Sequence, residues 1–88
     1  MTPYDITFKP SVEKDLRGLP QSVVVRVLDH AGQLREDPFP RGSRKLTGAE
    51  RLYRVRIGDY RMIYSVDQGR REIIVQHVRH RRDAYRQL

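Results

Sequence analysis

The chain of 88 residues contains no cysteine. No disulfide supports the fold, and thiol or cysteine–metal chemistry is excluded. No apolar run approaches the length needed to span a membrane. The opening MTPYDITFKP also lacks the apolar core of a signal peptide. A cytoplasmic protein without membrane contact is therefore expected. His77 and His80 are three apart, but no further histidine or carboxylate stands at ligand spacing, so neither metal nor other cofactor is expected. Lysine is scarce as well: fifteen of the eighteen basic residues are arginine.

The arginines are unevenly spread. Residues 1–50 carry eight basic and seven acidic side chains, whereas residues 51–88 carry ten arginines, no lysine and four acids. A planar guanidinium fork fits a phosphate better than an ammonium point charge does. An anionic, phosphate-bearing partner is the expectation.

One domain is expected at this length. Tyr4–Phe8 alternates as a strand. Val12, Leu16 and Leu19 have helical spacing, with Gly18 and Pro20 as a stop. From Pro20, which suits a first helical turn, Val24, Val27, Leu28, Ala31 and Leu34 mark one helical face. Asp37–Glu50, rich in Pro, Gly and Ser, reads as a surface connection with Leu46 tucked inward. Three strands follow, Leu52–Ile57, Tyr60–Val66 and Glu72–Arg79, the last two joined by a loop at Asp67–Arg71. The closing RRDAYRQL reads as a short terminal helix or a tail. The order βααβββ(α) is α+β, a helical hairpin on one face of a mostly antiparallel four-stranded sheet.

The stretch YRVRIGDYR raises a local conflict. A two-residue type II′ turn at Gly58-Asp59 pairs Ile57 with Tyr60, Val55 with Met62 and Tyr53 with Tyr64 on one apolar face. It also sets Arg56 directly opposite Arg61 on the other face, with Arg54 two residues along. Like charges directly opposed across strands are destabilising by up to roughly 1 kcal/mol. An anion held between them reverses the sign; the competing reading is a splayed, solvated face relieved by Asp67 or Glu72. VRHRRDAYR then adds Arg79, His80, Arg81, Arg82, Tyr85 and Arg86 after the last strand. Tyr85 among arginines suits base stacking or, more simply, packing of a terminal helix.

LYRVRIGDYRMIYSVD followed by VRHRRDAY resembles the RelE/ParE toxins of type II toxin–antitoxin pairs, specifically the RelE branch. The resemblance extends to KDLRGLP and RKLTG and covers nearly the whole chain. It implies a ribosome-dependent endoribonuclease that cuts mRNA in the A site without a metal. The 2′-hydroxyl of one nucleotide attacks the adjacent phosphate, leaving a 2′,3′-cyclic phosphate and a 5′-hydroxyl. On that pattern Arg61 holds the phosphate, Arg81 stabilises it or protonates the leaving oxygen, and Tyr85 orients the substrate. Arg54 and Arg56 fall on positions that are lysines in the best-known member. Arginine stays protonated to above about pH 12, so Arg56 is disfavoured as a base. His80, whose imidazole can accept or donate a proton, is assigned the acid or base. Lys45, Arg54, Arg79 and Arg82 are expected to bind RNA. The implied partners are the ribosome, mRNA and a RelB-like antitoxin, with the toxin monomeric alone and hetero-oligomeric when neutralised. The alternatives are a ParE-like inhibitor of DNA gyrase and a non-catalytic RNA-binding module.

Overall fold

The computed structural model describes residues 3–46, 48 and 51–82. Strand β1 (Asp5–Phe8) leads into helices α1 (Pro10–Arg17) and α2 (Gln21–Glu36), then β2 (Arg44–Lys45), β3 (Leu52–Ile57), β4 (Tyr60–Asp67) and β5 (Glu72–His80). The sheet order is β1-β5-β4-β3-β2. All neighbours are antiparallel except β1 and β5, which run parallel from Asp5↔Glu72 to Phe8↔Val75. The expected α+β layering is found. The sheet has five strands rather than four, because the connection after α2 contributes the two-residue β2. The terminal helix expected from RRDAYRQL lies, past Arg82, outside the described residues.

Alternation explains the core. Val55, Ile57, Met62, Tyr64, Ile73 and Val75 are buried on the face that receives Val12 of α1 and Val27 and Leu34 of α2. On α2 the buried line is Val27, Ala31 and Leu34, at i, i+4 and i+7. Leu28, one residue off that line, is half exposed. Pro20 stands at the cap of α2 rather than inside its first turn.

Gly58 has φ +60, as the first central residue of a type II′ turn requires. The register is the one its sequence predicts: Ile57↔Tyr60, Arg56↔Arg61, Val55↔Met62, Tyr53↔Tyr64. A side chain at Gly58 would also meet the Arg26 guanidinium of α2 at 2.8 Å. β5 departs from simple pairing. Tyr64 faces Val75 but Ile63 faces His77, so Gln76 is the extra residue of a bulge. The buried residues of β5 accordingly fall at Ile73, Val75 and Val78.

Tyr64 ties sheet to connection. Its ring is fully buried and its hydroxyl donates to the Pro38 carbonyl at 2.8 Å. Burial pushes its pKa from 10.0 to about 12; Tyr53 and Asp37 add to the shift and the Ser43 hydroxyl opposes it. Because the folded value lies above the unfolded one, the native state holds its phenolic proton over a range where the unfolded chain has lost it. Stability is therefore whole below pH 10 and falls as pH rises toward 12, by roughly 3 kcal/mol for a two-unit gap. Urea titrations between pH 8 and 12 are expected to show this loss. Tyr64→Phe is expected to be less stable at neutral pH by about 1–2 kcal/mol, leaving a buried carbonyl unpaired, and to show a shallower alkaline decline.

Candidate functional site

The face turned away from the helices carries the arginines. Because Arg56 pairs with Arg61 and Arg61 with Arg79, three arginines form one row across β3, β4 and β5. The adjacent row runs Arg44, Arg54, Ile63 and His77 across four strands. Gly42, Arg44, Arg54, Arg56 and Arg61 line a groove of about 510 Å³. Neither carboxylate that the sequence offered as relief is there: Asp67 pairs with Arg51 at 3.4 Å and Glu72 with Arg70 at 3.9 Å, both away from the row. Among the described residues, Arg44, Arg56 and Arg61 make no ion pair.

Local bonds hold these cations in place. The Arg56 Nε donates to the Gly58 carbonyl at 3.0 Å, and an Arg61 terminal nitrogen donates to the Tyr60 carbonyl at 3.3 Å. The Arg81 backbone N–H donates to the Asp59 carbonyl at 2.7 Å, extending the β4–β5 ladder one bond past the strand and joining Arg81 to the same turn. Arg79 is tethered differently: its guanidinium meets the Asp15 carboxylate of α1 at 3.7 Å. A phosphate entering the groove thus finds donors already placed, with no acid among the described residues to displace at Arg56 or Arg61.

The expected site residues divide. Arg54, Arg56 and Arg61 are together, Arg79 continues their row, and Arg81 follows it at the turn. Arg82 is exposed beyond β5. Lys45 pairs with Tyr53, a core-side residue, and lines a separate cavity on the other side of the sheet. Its neighbour Arg44 supplies the groove instead, because consecutive strand residues face opposite sides. His80 pairs with Tyr60, on the side opposite Arg61, and its ring meets that Tyr edge-on at 5.3 Å. Its Nδ1 accepts the Arg82 N–H at 3.3 Å. The histidine on the arginine face is His77. Burial is the main reason its pKa is lowered, Arg79 and Lys9 add to the shift, and Asp15 opposes it. Tyr85 lies outside the described residues. Two residues were missed, Arg44 and His77. The first needed the short β2. The second was legible in the apolar spacing 73, 75, 78, whose step from two to three marks the bulge.

The fold defines a small α+β protein with an arginine-lined groove on one sheet face. Residues 6–85 match the family described as the ParE toxin of type II toxin–antitoxin system, parDE. The chain is 32% identical to Toxin RelG of Mycobacterium tuberculosis, covering 96% of this chain and 98% of the relative. It is 31% identical to the putative toxin RelE1 of Methanocaldococcus jannaschii, over 94% and 96%. The RelE chain in the crystal structure of the archaeal RelE–RelB complex from Pyrococcus horikoshii superposes with a TM-score of 0.81 at 36% identity, covering 92% of this chain and 97% of that one. The chain belongs to the RelE/ParE family of type II toxin–antitoxin toxins.

The repulsion between Arg56 and Arg61 makes the groove testable without any substrate. Inorganic phosphate is expected to raise the thermal midpoint of the wild-type protein more than chloride does at equal ionic strength. Arg56→Ala is expected to be as stable as wild type, or more stable by up to roughly 1 kcal/mol at low salt, while losing most of the phosphate effect. Calorimetric melts of both proteins with and without phosphate give the comparison.

Proposed function

We propose that this chain is the toxin of a RelE-type pair and cuts mRNA in the ribosomal A site by attack of a 2′-hydroxyl on the adjacent phosphate. The observation that carries the reading is the groove lined by Arg44, Arg54, Arg56 and Arg61, with Arg79 continuing the row of Arg56 and Arg61. The pentavalent phosphate of such a reaction gains negative charge, and fixed guanidinium groups stabilise it more than they stabilise the ground state. In this reading Arg61 and Arg56 hold the equatorial oxygens, and Arg81, tied to the same turn, serves the leaving 5′-oxygen. Chemistry by a 2′-hydroxyl needs proton transfer rather than a metal. The sequence pattern offers His80 for that role; position on the arginine face favours His77. A RelB-like antitoxin, named as the partner in the related Pyrococcus complex, is the neutralising partner in the cytoplasm.

The test is brief expression in cells followed by primer extension on abundant mRNAs. New codon-phased cuts with wild type, and none with a folded Arg61→Ala/Arg81→Ala double variant, are the expected outcome. Whichever histidine moves the proton, its Ala variant is expected to slow cleavage by roughly a hundredfold or more and to flatten the pH profile below neutrality. Because the matching family profile bears the ParE name, gyrase is assayed beside mRNA. Growth arrest with intact mRNA and inhibited gyrase would overturn the nuclease reading.

A further inference from the structure

A second cavity, of about 420 Å³, opens on the side of the sheet opposite the arginine groove. Tyr53 and Val66 form its apolar lining with Phe39, and Lys45, Gln68 and the ion-paired Arg51 and Asp67 supply its polar groups. Phe39 is one of the few large apolar side chains left open, 37% exposed, and stands edge-on to Tyr53 at 4.9 Å. It is held there. The Asp37 carboxylate accepts the Phe39 N–H at 3.1 Å, and the preceding Pro38 carbonyl takes the buried Tyr64 hydroxyl. The same loop is braced at Ser43, whose N–H and hydroxyl both donate to the Pro40 carbonyl at 2.8 Å. Across the cavity Arg51 has φ +64, a left-handed conformation uncommon for a residue with a side chain. A fixed, exposed aromatic ring beside the Lys45 ammonium and the Arg51–Asp67 pair is a surface on which an unpaired base can stack.

The two cavities share an edge. Arg44 and Lys45 are consecutive, as are Tyr53 and Arg54; in each pair one residue serves the groove and the other the cavity. The loop after α2 borders both, through Phe39 on one side and Gly42 on the other. The two-residue β2 is the edge strand on that side of the sheet. We propose that the cavity of Phe39 and Tyr53 receives a nucleobase flanking the phosphate held in the arginine groove, with the RNA strand crossing the sheet edge at β2. This rests on the RNA-cutting reading and adds a second contact to it. Stacking on Phe39 supplies affinity with little sequence bias. The Gln68 amide, which carries both donor and acceptor, faces the hydrogen-bonding edge of the base.

A single-stranded RNA pentamer carrying 2-aminopurine reports stacking directly and needs no cleavage. Titrated into the full chain at low salt, it is expected to lose fluorescence on binding. Phe39→Ala is expected to abolish the quenching and weaken binding about tenfold, and Phe39→Tyr to retain both. Arg61→Ala is expected to weaken binding but leave the quenching at saturation intact. Quenching that survives Phe39→Ala, no quenching in any protein, or an acidic peptide that fills the cavity where the RNA does not, would each overturn the proposal. The two readings fail separately. Phe39-dependent quenching without mRNA cleavage sinks only the nuclease, and cleavage without such quenching sinks only the base site.

Discussion

Two residues, Gly58 and Asp59, set the geometry on which the rest depends. A two-residue turn leaves no freedom of register. Once Gly58 takes its positive φ, each side chain from Leu52 to Ile57 has a face and a partner between Tyr60 and Ser65. The apolar set goes to the helices and the arginines are forced together on the other side. The turn's own carbonyls then accept from Arg56 and from the Arg81 backbone. Core and groove are two results of one local constraint.

The division of labour between faces follows. The helix side supplies stability through Tyr64, Ile73, Val75 and the buried line of α2. The other side carries charge that opposes folding, and can do so because the opposite face is closely packed. The bulge at Gln76 extends this arrangement to the third strand. It turns Val78 into the core and brings Arg79 level with Arg61. Without the extra residue, Val78 would oppose Arg61 and His77 would point at Met62.

What sequence patterning revealed depended on how local the cause was. The hairpin, the helical pair and the opposed arginines come from neighbouring residues, and all are found as expected. The parallel pairing of β1 with β5 has no local signal, since an edge strand reads alike beside any partner. β2 stayed hidden because two residues show no period. The side taken by Lys45 was lost with it. His80 and His77 exchanged faces for want of one bulge, whose trace lay in the spacing of three buried β5 residues. Tyr85 was singled out by motif alone.

The pairing of Ile6 with Ile73 has a consequence for how the protein is made. A polypeptide emerges from the ribosome with its amino-terminal end first, so β1 and both helices are synthesised long before β5. The sheet cannot close around them until the last strand arrives, and bringing such distant segments together carries a loop-closure cost. A part-made chain has neither a finished core nor the third arginine of the row. The row that runs from Arg56 through Arg61 to Arg79 is therefore assembled only once β5 has been made and has paired with β4.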